Sequence, residues 1–307
     1  MKKLRRIFSL SNDEAKTLTE RTISQEVWQR YKKSRTGMVA LVIVLLLLFI
    51  AISTYVVDIV TNNAFYDNNV INIDLINKLK PPSWQHIAGN DEYGRDILLR
   101  VIWGTRLSLF LGVLAVVIAL IIGGTLGAIS GFYGKQVDSV IMRLMDILMG
   151  VPTIILAIAI VASLGVSIMN LVIAVAVSAV PGQARVMRAA VMSIRDKEFI
   201  EAARASGASD LRLIFKYILP NCLSPVIVNT TLGVAASILN VTSLSFIGLG
   251  VQAPNAEWGS MLSAARSYIR VSGHITLGPG LAIFLTIMSI NLMGDALRDA
   301  LDPRLKR

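Results

Sequence analysis

The 307-residue chain has one cysteine, Cys222, and two histidines, His86 and His274. A single cysteine excludes an intrachain disulfide, a cysteine cage for a metal and a dithiol redox pair. Two histidines leave little for metal binding or histidine-dependent catalysis. No Gly-x-x-x-x-Gly-Lys-Ser/Thr string is present, so a P-loop for ATP is missing too. Charge is also scarce: 16% of residues are charged and 54% apolar, with a mean hydropathy of +0.63. That balance excludes an ordinary soluble domain and makes this a membrane protein.

What charge there is favours one sign, 30 Lys and Arg against 20 Asp and Glu. A net charge of +10 raises nucleic acid as a partner, but the placement of the charges argues against it. Crossing about 30 Å of hydrocarbon takes about 20 mostly apolar residues as a helix. Six segments qualify, some only with their flanks: Met38–Val57, Leu107–Ile129, Ile147–Leu164, Ile168–Val180, Val226–Gly250 and Leu281–Met293. The first lies too far from the start and is too long for a cleaved signal peptide. Short loops rich in Lys and Arg stay in the cytoplasm. With the N-terminus inside, 23 of the 30 basic residues fall on the cytoplasmic side, in residues 1–36, the second-to-third and fourth-to-fifth connections and the tail 295–307. Both termini are therefore expected inside. The charge reports topology, and nucleic-acid binding is not expected.

The spans lack ionisable residues, which are costly in a membrane and mark the coupling path of proton- and ion-driven carriers. Arg143 and Asp146 come nearest, at an i,i+3 spacing that suits a local ion pair before the third span. Energy for uphill transport is then expected from a partner, with sodium coupling through carbonyls and hydroxyls as the other route. The polar residues in the fifth and sixth spans are hydroxyls and amides: Ser237, Asn240, Thr242, Ser243, Ser245, Thr286, Ser289 and Asn291. They fit a water-filled translocation path and, equally, interhelical hydrogen bonds of about 0.6–2 kcal/mol each. Gly123, Gly127 and Gly131 form a small-residue ridge on the second span, suited to close helix packing within the subunit, or to a dimer seam.

The stretch 183–221 carries the clearest local pattern. An Ala-rich helix, with Glu201, Ala202 and Ala203, ends at Gly207, the residue that most easily takes the left-handed conformation closing a helix. Ser209 then offers an N-cap and Asp210 a charge that complements the helix dipole. Leu211, Ile214, Phe215 and Ile218 recur with helical spacing, and Pro220 redirects the chain. The expected product is an α-helical hairpin held at the cytoplasmic face, with small alanines that let another protein approach and Glu201 as its charge. A hairpin with no partner fits the same residues.

Glu201-Ala202-Ala203, then Gly207 and Leu219-Pro220, resembles the EAA loop of the membrane subunits of bacterial ABC importers, with Tyr217 where Ile is usual. Three further strings resemble the C-type permeases of dipeptide, oligopeptide and nickel importers. They are Gly89-Asn90-Asp91-Glu92-Tyr93-Gly94-Arg95-Asp96, with Asn90 in place of Thr; Ser245-Phe246-Ile247-Gly248-Leu249-Gly250 followed by Pro254 and Trp258; and Gly294-Asp295 to Pro303-Arg304. The resemblance covers about residue 80 to the end. For the N-terminal part the residues speak alone: Ile23, Val27, Trp28 and Tyr31 among basic neighbours fit a helix on the inner membrane surface.

The resemblance implies an all-α fold of six transmembrane helices, the type I importer permease fold. It has a core at 107–294, a coupling loop at 183–221 and external loops at 58–106 and 251–276. It implies a non-catalytic subunit in the bacterial cytoplasmic membrane, paired with a second homologous permease. Two separate ABC ATPase subunits bind ATP and Mg, and a periplasmic or extracellular binding protein delivers peptide; no cofactor or metal sits on this chain. Coupling would fall to Glu201, Ala202, Ala203, Gly207, Ser209, Asp210, Leu219 and Pro220. The path would run past Asn240, Thr242, Ser243, Ser245 and Asn291, and external gating or docking would involve Asp91, Arg95, Asp96 and Trp258. A nickel chelate, a metallophore or glutathione is the alternative cargo. From outside the family, a stand-alone channel or secondary carrier fits the topology without needing the hairpin. An intramembrane protease fits poorly, since no serine has a base at hand.

Overall fold

The computed structural model describes residues 23–302. The basic residues before 23 and Pro303, Arg304, Lys306 and Arg307, part of the sequence reading above, lie outside them. The regular structure of the described residues is all helical, apart from one isolated bridge between Asn90 and Asp96. Helix α1 (Ile23–Lys33) leads through Ser34, whose hydroxyl accepts from the Gly37 N–H, into α2 (Arg35–Val60). A largely irregular segment follows, with short turns at Tyr66–Val70 and Leu75–Asn77. Then come α3 (Ile97–Tyr133), α4 (Lys135–Met149), α5 (Thr153–Leu164), α6 (Ile168–Arg195), α7 (Glu198–Ala205), α8 (Leu223–Phe246), α9 (Trp258–Ala265) and α10 (His274–Leu301).

Among the described residues α2, α3, α6, α8 and α10 are each long and apolar enough to cross a membrane. The expected third span is different. Its residues divide between α4 and α5, which meet at 86° across Gly150-Val151-Pro152, so the sixth crossing is a broken one or a re-entrant loop. The residue before a proline is driven out of the helical region and Pro152 has no N–H to donate, which breaks the helix there. The expected Arg143–Asp146 pair is also replaced, because Asp146 binds Arg185 of α6.

Helices α3 and α6 form the tightest pair. A Cβ added at Gly123 would come within 2.5 Å of the Val180 carbonyl oxygen, and one at Gly131 within 2.8 Å of that of Arg188; at Gly127 it would meet the Ala184 carbonyl even more closely. The glycine ridge thus packs inside the subunit, four residues apart on one helix against carbonyls four apart on the other. Without a hydrophobic force between helices in lipid, such backbone approach supplies much of the association. Beyond this seam Asp138 of α4 accepts from Ser130 of α3 and, with both oxygens, from Arg188 of α6, tying three helices together.

Helix α1 packs against α10. Tyr31 is buried against Ala296 and Ala300 of α10 with Val27 beside it, its hydroxyl donating to the Gly37 carbonyl at 2.8 Å. Trp28 is half exposed under the Lys32 ammonium.

Candidate functional site

Three places carry the chemistry the sequence points to. The first is the hairpin between α6 and α8. Helix α6 runs fifteen residues past Val180, absorbing the basic positions 185–195 expected in a loop. Its buried residues there, Ala190, Val191 and Ile194, recur on one face and leave Arg185 and Arg188 for Asp146 and Asp138. Helix α7 then stands on a single buried residue, Ile200, and exposes Glu198, Glu201 and Ala202, with Ala203 half buried. It ends in a Schellman motif. The Ala208 N–H bonds the Ala203 carbonyl at 3.1 Å and the Gly207 N–H that of Arg204 at 3.0 Å, with Gly207 at φ +84°.

Beyond Gly207 the chain departs from the expected regular helix. Ser209 has the extended backbone of an N-cap but its side chain accepts no capping bond. The segment runs Asp210–Arg212 as α-helix, Leu213–Ile218 as π-helix and Leu219–Asn221 as α-helix. A π turn spaces its bonds i→i+5 instead of i→i+4. The buried set is accordingly Leu213, Ile214 and Ile218, packed with Ile200, while Leu211 and Phe215 point outward. Pro220 and Ser209 are exposed, Leu219 half buried. All eight residues assigned to coupling thus sit on one small module whose underside is apolar and whose outer face is free. Burial pushes the Cys222 thiol beneath it up to about 11, which leaves the only cysteine inert.

The second place is a cavity of about 480 Å³ at the α4–α5 break, walled by α6 and α8. Its polar lining is Thr153, Ser178, Gln183, Asn229, Ser237 and Asn240, set among apolar residues and without an ionisable side chain. The Asn229 amide donates to the Gln183 carbonyl oxygen at 2.9 Å across the α6–α8 seam. Pro181 lies inside α6 next to this pair, where its missing N–H frees the Val177 carbonyl. Of the expected path residues only Asn240 lines this cavity, with Ser237 beside it. Thr242 is buried, Ser243 bonds back to the Leu239 carbonyl at 2.7 Å, Ser245 accepts from the Val251 N–H at 3.2 Å, and Asn291 sits half buried on α10. Gln183 stands at the edge of an expected loop and Asn229 within an expected span, so residue type and hydropathy mark neither as lining a path. Pro181, a proline inside an apolar helical run, was the usable signal.

The third place is where the loops before α3 and after α8 meet. Asp91 accepts from the N–H groups of Tyr93 (2.9 Å) and Arg95 (3.0 Å) and from the Arg95 guanidinium (2.7 Å). Arg100 reaches Asp91 at 3.5 Å and donates to the carbonyls of Val70, Pro254 and Asn255, joining the two external loops. A cavity of about 100 Å³ remains among these groups, room for a few waters. Burial, with the Asp91 charge beside it, raises the Glu92 carboxyl above the ordinary range. Asp96 caps α3 through the Leu99 N–H at 2.8 Å and takes His86 on its other oxygen at 2.7 Å. Trp258 is fully buried, its indole donating to the Val101 carbonyl at 3.0 Å. Asp91, Arg95 and Trp258 therefore hold the loops from inside and present little surface to a docking protein. The exposed large apolar residues of these loops include Ile73, Leu75, Ile76, Trp84, Ile87, Ile269 and Val271.

Glu257 caps α9 from full burial, accepting from Gly259 (2.9 Å), Ser260 (2.8 Å) and the Ser108 hydroxyl (3.3 Å). Burial pushes its carboxyl up, against those donors. The closed loop then binds the proton more tightly than an opened one. Its stability is complete below the ordinary carboxylate value and falls as pH rises towards the raised one. Proteolysis of the 251–272 segment should accordingly quicken across that window, and Glu257→Gln should flatten the response. A flat wild-type response contradicts the assignment.

Residues 123–307 match the family described as binding-protein-dependent transport system inner membrane component, and residues 22–82 match the N-terminal TM domain of oligopeptide transport permease C. The dipeptide transport system permease protein DppC of Alkalihalophilus pseudofirmus is 44% identical over 92% of this chain and 90% of its own. The di/tripeptide transport system permease protein DppC of Pseudomonas aeruginosa is 44% identical over 92% of each. The glutathione transport system permease protein GsiD of Pectobacterium atrosepticum is 41% identical over 93% of each. Two crystal forms of the inward-facing MetNI methionine ABC transporter superpose with TM-scores of 0.54 and 0.55 at 18% and 19% identity. They cover 67% of this chain and 96% and 98% of theirs, and at that identity they show the fold alone. The chain belongs to the family of binding-protein-dependent transport system inner membrane components, as a permease of the oligopeptide C type.

Proposed function

We propose that this chain is one of two permease subunits of an ATP-driven importer of peptides in the bacterial cytoplasmic membrane. Its hairpin receives the motion of separate ATPase subunits, both termini face the cytoplasm, and a binding protein delivers cargo at the outer face. ATP and Mg belong to the ATPase partners. The observation that carries this reading is α7, an eight-residue helix anchored by one buried residue, Ile200, with Ala203 beside it and Arg204 over the Phe132 ring, locked by the Schellman turn at Gly207 and free on its outer face. A helix held so lightly by its own subunit suits a separate protein that grips it. The charge distribution supports the orientation. Peptide cargo is supported by the relatives named for dipeptides and di/tripeptides, and those named for glutathione, itself a peptide, support it as the second cargo.

Co-purification tests this. Gently extracted from its native membrane, the tagged chain should bring two ATPase chains and a second permease. Glu201→Lys should reduce the recovered ATPase about tenfold, the effect of about 1.4 kcal/mol at the docked face. Recovery of the chain alone, from an extract that preserves a control complex, would support a stand-alone channel or carrier, and unchanged recovery with the variant would take Glu201 out of the interface.

A further inference from the structure

The cavity of about 480 Å³ between the α4–α5 break, α6 and α8 falls in the size range of small-ligand sites, about 300–1,000 Å³. Its polar groups are primary amides and hydroxyls contributed from both walls: Ser178 and Gln183 from α6, Asn229, Ser237 and Asn240 from α8. Gln183 is 95% buried, and its bond to Asn229 fixes both amides in orientation. That bond uses one of the two Asn229 amide protons and one lone pair of Gln183 oxygen. It leaves the other Asn229 proton, the Asn229 oxygen and the two protons of the Gln183 amide as remaining hydrogen-bonding capacity.

A primary amide donates and accepts at the same time, which matches the N–H and C=O of a peptide bond. Its complement is the cargo main chain, common to every peptide, and not any side chain. Charged lining would add strong preference of one sign, and the cavity has none. We infer that Gln183, Asn229 and Asn240 form a main-chain reading site for peptide cargo in this subunit, one that ignores side-chain charge because it carries none itself. Ser178 and Ser237 extend it. Hydrogen bonds of neutral groups are modest, so cargo is oriented without being held. Pro181 lies two residues before Gln183, and the Val177 carbonyl it frees gives α6 a weakened turn at the site. This inference rests on the peptide-importer reading above.

The test uses the whole transporter with its binding protein in vesicles, loaded with labelled Ala-Ala, Lys-Ala or Asp-Ala, uptake being normalised to assembled complex. Placing a carboxylate in the cavity with Gln183→Glu should raise the ratio of Lys-Ala to Asp-Ala uptake about tenfold over wild type. Asn229→Leu should slow all three alike, since it removes a main-chain partner and adds no charge. A purely structural amide pair would lower uptake in Gln183→Glu without moving the ratio, and that result overturns the inference. If Gln183→Glu does not assemble, Asn240→Asp sets the same charge on the opposite wall and is judged by the same ratio. The parent reading fails separately: wild-type vesicles that hydrolyse ATP in response to the binding protein but import none of the three peptides would remove peptide as cargo.

Discussion

Leucine at Gly127 should keep the protein from accumulating in the membrane in folded form. The Cβ it adds points at the Ala184 carbonyl oxygen and lies 2.9 Å from the Met187 Cβ and 3.0 Å from the Ala184 carbonyl carbon. Two of those three are backbone atoms of a helix whose axis cannot shift locally, and the same approach repeats at Gly123 and Gly131. The helices must separate along the whole seam. Overpacking a core costs about 1–3 kcal/mol where side chains can adjust; here the backbone must move, and loss of the contact extends over several turns. Gly124 makes the control. It lies three residues earlier on the same helix, and a Cβ there meets the Met187 Cε at 3.5 Å and the Leu120 Cδ1 at 3.6 Å, both ordinary contacts. Gly124→Ala should fold normally, with a gain of up to about 1 kcal/mol in helix propensity. Membrane abundance and melting of the detergent-extracted protein measure both. A Gly127→Leu protein as abundant and stable as wild type would mean that α3 and α6 do not pack as described.

This pair of glycines shows what the sequence makes legible. Spacing alone marks the ridge, and hydropathy marks the apolar runs, because each of these properties is set by residue type. Direction is not. The run Ile147–Leu164 is continuous as hydropathy, yet it turns by 86° at Gly150-Val151-Pro152, and its first part continues the amphipathic α4 with Lys135, Asp138, Arg143 and Asp146. Polarity also hides helix where partners lie far off in sequence: Arg185 and Arg188 look like loop until Asp146 and Asp138, 39 and 50 residues away, are placed against them. The hairpin is a subtler case. Its turn is written in Gly207, whereas the π turn at Leu213–Ile218 leaves no mark in a helical-period count and rotates Leu211 and Phe215 outward. The external strings mark residue types correctly but not their direction, since Asp91, Arg95 and Trp258 all face inward.

Valine at Gly207 should uncouple transport while leaving insertion and abundance intact. A Cβ at this position meets nothing within 4 Å, so the substitution tests the backbone alone. At φ +84° a β-branched residue is strained by about 1–3 kcal/mol. Leaving the left-handed region breaks the bonds from Ala208 to Ala203 and from Gly207 to Arg204, which fix the angle between α7 and the segment that follows. Helix α7 is then held by little more than Ile200, Ala203 and the Arg204–Phe132 contact, so the strain is released there and not in the spans. ATP hydrolysis by the assembled complex should then lose its response to the binding protein, and peptide uptake should fall about tenfold or more, the factor given by about 1.4 kcal/mol. Gly207→Asn should retain most of both activities, because asparagine enters the left-handed region at small cost. Equal losses in the two variants would point to the lost glycine surface in place of the turn, and full activity in Gly207→Val would remove the turn from the coupling path.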